Sequence, residues 1–148
     1  LNLLDNQFQY DNIKILNNIR KISLFGLENE LIQVLLNILN NAKDELVKHP
    51  ENERFIFLDV MQTNNEVTIS IKDTAGGIPV EFIDKIFNSR FSSKEKTKGS
   101  GLGLYMSKII IEKNMKAKLI VSNKEFEYDN HNYIGAEFRI ILSQKSKS

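Results

Sequence analysis

The stretch ELIQVLLNILNNAKDEL, residues 30–46, decides the fold. Leu31, Val34, Leu35, Ile38, Leu39, Ala42 and Leu46 recur at the three-to-four spacing of an amphipathic α-helix, which predicts a helix over residues 28–47. At about 100° per residue, Glu30, Gln33, Asn37, Asn41, Asp44 and Lys48 fall on one narrow polar stripe opposite a broad apolar face. Such a stripe is most often a solvated face. Two features favour a cavity instead. Asparagine forms helices poorly because its side chain competes for backbone hydrogen bonds, yet Asn37, Asn40 and Asn41 stand mid-helix. Asparagine also offers a neutral oxygen suited to a hard cation that phosphates already hold.

Working outward, short apolar runs at residues 13–16 and 22–25 read as strands. Residues 54–60 and 66–72 read as two strands joined by the turn Thr63-Asn64-Asn65. In the second, Val67, Ile69 and Ile71 alternate with Thr68, Ser70 and Lys72, the pattern of a sheet with one face on a core. Beyond a glycine-rich turn at residues 73–79, a short helix is predicted over 80–87. A polar, lysine-rich loop is expected over 88–100. A second helix is expected over 101–113, with Leu102, Tyr105, Met106, Ile109 and Ile110 on its buried side. Strands at 118–122 and 134–142 close the chain, and residues 124–133 read as a polar loop between them. Helices interleaved with hairpin-connected strands predict an α+β fold: a two-layer sandwich, its helices packed on one face of a mixed, mainly antiparallel sheet.

The 148 residues suit one domain, expected over 11–142, with residues 1–10 ending a preceding helix or linker and 143–148 forming a polar tail. Because the chain starts at Leu1, it is expected to be a piece of a longer protein. Twenty Lys and Arg against nineteen Asp and Glu give a net charge of +1, which offers no reason to expect a nucleic-acid partner. There is no cysteine, which removes disulfides and thiolate metal sites. No apolar run approaches the roughly 20 residues of a membrane span, and no secretory signal is visible.

Three further segments carry chemistry. DTAGGIP, residues 73–79, follows the alternating strand; Gly76 and Gly77 permit positive φ and close approach of backbone to a ligand, and Asp73 is placed to accept from an exocyclic amine. An ordinary strand-to-helix turn is an equally good reading of this segment alone. KGSGLGL, residues 98–104, spaces three glycines at a helix start, where backbone N–H groups and the helix dipole favour a phosphate. It is not a dinucleotide fingerprint, since no strand immediately precedes it and no βαβ unit follows. Lys94, Lys96, Lys98 and Arg90 populate the intervening loop, with Phe87 and Phe91 flanking it. Loop lysines are usually just solvated; beside a phosphate site they make a cationic lid.

In this order the segments resemble the ATP-binding domain of histidine kinases, of the superfamily shared with type II topoisomerases, the ninety-kilodalton heat-shock chaperone and mismatch-repair ATPases. The resemblance runs from about residue 13 to 142. ELIQVLLNILNNAKDEL resembles the asparagine box, DTAGGIP the first glycine box, IFNSRFSSK the phenylalanine box and KGSGLGLYMSKIIIE the second glycine box. It implies a Bergerat-type ATP-binding fold with ATP and Mg²⁺ as cofactors. It implies Asn41 as the Mg²⁺ ligand with Asn37 beside it near the phosphates, and Asp73 on the adenine amino group with Gly77 and Ile78 shaping that pocket. Gly99, Gly101, Leu102, Gly103 and Leu104 would cradle the phosphates, and Ser93, Lys94 and Lys98 would be lid contacts. Ala75 replaces a frequent glycine, Asp44 has no assigned role, and Lys116-Ala117 replace a usual glycine pair, so that turn is expected to be tight or strained.

ATP-hydrolysing members of the superfamily place a glutamate one helical turn before the Mg²⁺-binding asparagine. Here that position is Asn37, and an amide cannot take a proton from water. The resemblance therefore implies a phosphoryl donor, mostly positioning and neutralising charge. The acceptor histidine is expected in a dimerisation domain outside this chain, with a response regulator downstream. His49 and His131 are read as surface residues in loops. The chain itself is expected to be monomeric, the whole protein dimeric, and the domain cytoplasmic. The rival readings are an anti-sigma-factor-type serine kinase, a topoisomerase-like ATPase clamp and a degenerate ATP-binding module without transfer activity.

Overall fold

The computed structural model describes residues 8–9, 11–18, 28–88 and 102–143. The expected strand at 22–25, most of the lysine-rich loop and both chain ends lie outside the described residues. The long helix, α1, is Glu28–Leu46. The strands are β1 (Lys14–Asn18), β2 (Phe55–Gln62), β3 (Glu66–Asp73), β4 (Lys118–Tyr128) and β5 (His131–Ser143). Helix α2 is a single turn, Val80–Ile83, shorter than expected, and the chain continues in turns to Phe87. Helix α3, Leu102–Ile109, passes into a π-helical turn at Ile110–Asn114. Among the described residues no helix is long and apolar enough to cross a membrane.

The strands form one sheet in the order β1-β2-β3-β5-β4. Only β1 and β2 pair parallel; the other pairings are antiparallel. This is the mixed, mainly antiparallel sheet expected, with the helices on one face. That face is aliphatic. Val34, Ile38, Leu39 and Leu46 of α1 are fully buried against Ile56, Val67, Ile71, Leu119 and Ile140 of the strands. Each such side chain contributes about 1.5–3 kcal/mol by leaving water. The helix end is fastened by Arg54, whose guanidinium donates to the carbonyl oxygens of Val47 at 3.1 Å, His49 at 2.9 Å and Asp11 at 2.6 Å.

Two expectations fail here. Residues 124–133 are not a loop: β4 and β5 run to a two-residue turn at Asp129-Asn130, in register to Tyr128↔His131. Both turn residues take the positive φ of a tight hairpin, 52° and 65°. The polar residues of the segment alternate with Phe126, Tyr128 and Tyr133, which pack on Phe55 and Phe57 across the helix-free face, with ring centroids 5.1 to 5.9 Å apart in the Phe55–Tyr128, Phe57–Phe126 and Phe55–Tyr133 pairs. Lys72 Nζ lies 3.9 Å from the Phe126 centroid, a cation–π contact. β5 leaves β3 at Glu137, so the rest of the hairpin forms an arm that curls over this aromatic cluster.

The second failure is the phase of α3. Met106 is 46% exposed, whereas Ser107 and Ile111 are fully buried. Small residues, Gly103 and Ser107, turn toward α1, and this sets the helix rotation. After the π turn, Lys116 stands at φ 55°, with the Ala117 N–H donating to the Ile111 carbonyl at 2.9 Å. This is the left-handed cap that glycine usually fills, so the expected strain is present.

Candidate functional site

Asp73 ends β3, the central strand of the sheet, and is only 5% exposed. Its Oδ1 accepts from the backbone N–H of Ala75 at 2.9 Å and of Ala136 at 3.2 Å. Its Oδ2 takes no hydrogen bond from the described residues, which leaves an acceptor open. Burial pushes the carboxyl up to about 6, against the lowering effect of those two N–H groups; Glu45 raises it further and His49 lowers it.

The turn that follows is pinned on several sides. Gly76 and Gly77 take φ of +92° and +85°, which side-chain-bearing residues rarely adopt. The Gly76 N–H donates to the Ile134 carbonyl at 2.8 Å. Asn123 of β4 accepts from the Ile78 N–H through Oδ1 and donates to the Ile78 carbonyl through Nδ2, both at 2.8 Å. His49 Nε2 lies 3.0 Å from the Ala75 carbonyl, so that nitrogen carries the proton. His49 is thus half-buried against the turn, not a plain surface residue, because the loop after α1 folds under residues 73–79. His131 is exposed as expected, at the start of β5. A Cβ at Gly135 would run into the Asp73 carbonyl oxygen, so β5 needs glycine where it passes the site. Thr74, also buried, accepts from the Phe55 N–H at 3.0 Å and donates to the Glu53 carbonyl at 2.7 Å.

The polar stripe of α1 forms the other side. It is only partly solvated: Gln33 and Lys48 are exposed, whereas Asn37 lies in the seam with α3. Asn37 Nδ2 donates to Ser107 Oγ at 3.1 Å and to the Gly103 carbonyl at 3.3 Å. Asn114 donates to Glu30 at 2.9 Å. Asn41, one turn on from Asn37, is half-buried and has no hydrogen bond among the described residues. No cluster of three acidic or histidine ligands stands ready for a metal among the described residues. A single neutral oxygen from Asn41 fits a Mg²⁺ ion that brings most of its shell as phosphate oxygens and water.

The structure brings Asp73, Gly77 and Ile78 together in one turn and Asn37 and Gly103 at the α1–α3 seam, while Leu104 packs against the core. Ser93, Lys94, Lys98, Gly99 and Gly101 lie outside the described residues, as does the side chain of Leu102. Phe87 packs edge-on against Phe138, centroids 6.2 Å apart, with Lys108 Nζ 4.7 Å from its ring centroid, so it is part of the core. Sequence reasoning missed Asn123, Gly135, Ser107 and His49. A glycine inside a strand and a Gly-x-x-x-Ser spacing on an apolar helix were the available signals; Asn123 offered none.

Residues 26–146 match the family model described as histidine kinase-, DNA gyrase B-, and HSP90-like ATPase. Sporulation kinase C of Bacillus subtilis (strain 168) is 29% identical over 149 residues, which cover 99% of this chain and 32% of that protein. The adaptive-response sensory kinase SasA of Gloeothece citriformis (strain PCC 7424) is 36% identical over 116 residues, 75% of this chain and 28% of its own length. The chain thus spans about a third or less of these curated relatives. Among solved structures, the mycobacterial sensor histidine kinase MprB has the same fold, with a TM-score of 0.75 at 22% identity, over 95% of this chain and 88% of its own. Histidine kinase ThkA, solved in complex with the response regulator protein TrrA, gives a TM-score of 0.71 at 20% identity, over 97% of this chain and 37% of its own. The chain belongs to the family of histidine kinase-, DNA gyrase B- and HSP90-like ATPases, and its fold is that of the ATP-binding domain of sensor histidine kinases.

Proposed function

We propose that this chain is the ATP-binding half of a two-component sensor kinase and gives the γ-phosphoryl of ATP to a histidine in a dimerisation domain of the same protein. The observation that carries the reading is Asp73: a buried carboxylate with one oxygen filled by two backbone N–H groups and the other open, beside a glycine turn. The open oxygen accepts from the adenine amino group, and the positive-φ backbone at Gly76 and Gly77, leading into Ile78, lets the base approach closely. At the other end Asn37 and Asn41 face the phosphates, with Leu102, Gly103 and Leu104 opening the helix that receives them. Gly99 and Gly101 would extend that cradle, and Ser93, Lys94 and Lys98, all outside the described residues, would contact the nucleotide. Asn41 would hold Mg²⁺, which supplies charge neutralisation on the transferring phosphoryl group.

Asn37 supports transfer over hydrolysis. Its amide nitrogen is committed to Ser107 and Gly103, and it has no basic group to activate a water. The response regulator that accompanies ThkA suggests the next acceptor here, after the histidine. The domain, taken as residues 11–142, would work in the cytoplasm, where ATP is supplied.

The test mixes the protein with the dimerisation domain of its own full-length kinase and γ-labelled ATP. Acid-labile, base-stable label on that domain is expected. Rapid release of free phosphate with no labelled histidine would overturn the transfer reading and favour an ATPase.

A further inference from the structure

We infer that Asn123 is a positioning residue for the nucleotide site, holding the peptide of Ile78 where the base must pass. The inference rests on the ATP-binding reading and deepens it. Asn123 sits on β4, outside the four segments that carry the family resemblance. Its amide pairs with both the N–H and the carbonyl of Ile78 at 2.8 Å, so one side chain supplies the two bonds a neighbouring strand would otherwise make. The orientation of the amide follows from chemistry, since the Ile78 N–H needs an acceptor and its carbonyl a donor.

Two further contacts tie this pair to the site. A Cβ at Gly77 would stand 2.9 Å from Asn123 Oδ1, so the amide packs directly over the glycine that turns the chain. In the β4–β5 ladder Asn123 is opposite Ala136, whose N–H donates to Asp73 Oδ1. One rung of the hairpin therefore holds both the carboxylate and the turn beside it. Without Asn123, Ile78 loses both partners, and Gly77 and Ile78 lose the side chain that fixes their distance from Asp73.

Calorimetric titration with ADP and with a non-hydrolysable ATP analogue at pH 8 tests this, each variant being compared with wild type. Asn123→Ala is expected to bind about tenfold more weakly, the loss of two hydrogen bonds. Asn123→Asp keeps the acceptor but sets a negative charge against the Ile78 carbonyl, so it is expected to be at least as weak at pH 8. Ile38→Val, a core change that lowers the melting temperature, is expected to keep wild-type affinity, which separates positioning from general stability. Wild-type affinity in Asn123→Ala or in Asn123→Asp would overturn the inference alone. Failure of wild type to bind either nucleotide would instead overturn the ATP-binding reading, and this one with it.

Discussion

The two sides of the candidate site are built on opposite plans. On the strand side nearly every group is spoken for. Asp73 Oδ1 takes two N–H groups, Gly76 donates to Ile134, Ile78 is clamped at both ends by Asn123, and the Ala75 carbonyl meets His49. On the α1 side, Asn37 is half-committed and Asn41 has no hydrogen bond among the described residues. The strand side is thus assembled by folding, at a cost in stability carried by the buried carboxylate. The α1 side is left for phosphate and Mg²⁺ to complete. Substitutions on the strand side should therefore change both stability and binding, and those on the α1 side binding alone.

Asp73→Asn should give the largest effects, and in opposite directions. Its carboxyl is raised from 3.8 to about 6, so the folded state holds this proton more tightly than the unfolded chain does. The stability gained from that proton is complete below about pH 3.8 and is lost as pH rises to about 6. Above pH 6 the protein carries the full penalty, about 3 kcal/mol. The neutral amide removes it, so urea unfolding at pH 8 should show a gain of up to about 3 kcal/mol. Nucleotide affinity should fall at least about a hundredfold, because the site loses an ionised acceptor and places a donor against a donor. Loss of both stability and binding would mean that the carboxylate is structural.

The same group sets a pH dependence in the wild type. Adenine needs Asp73 ionised, so affinity should be level above about pH 6 and weaken toward about tenfold per unit below it. Titrations from pH 8 to pH 5 in one buffer series check this. Asn41→Ala comes next. It should weaken binding about tenfold with Mg²⁺ present and hardly at all without it, while stability changes by less than about 0.5 kcal/mol. A large drop in melting temperature would break the contrast between the two sides. The smallest effect belongs to neither side: Lys116→Gly relieves the left-handed cap and should stabilise by about 1 kcal/mol with affinity unchanged.

Much of this was legible in the sequence for identifiable reasons. The apolar period of α1 and the alternation of Val67, Ile69 and Ile71 reflect burial on one face, so they state the fold directly. DTAGGIP announced a positive-φ turn because glycine alone takes it freely. The β4–β5 arm was misread since its inward residues are aromatic and its outward ones charged, and charge weighed more than alternation. The α3 phase was misread because apolar residues were assumed to be the buried ones. Glycine and serine won the seam by letting α1 come close. Asn123 was hidden for another reason: a side chain that binds a backbone 45 residues away leaves no local pattern.

The most direct test of the central claim is calorimetric titration of the protein with a non-hydrolysable ATP analogue, with and without Mg²⁺, in wild type and Asp73→Asn. Binding that strengthens with Mg²⁺ and disappears in a well-folded Asp73→Asn protein is expected. No binding at millimolar analogue, or equal binding by the two proteins, would contradict the account.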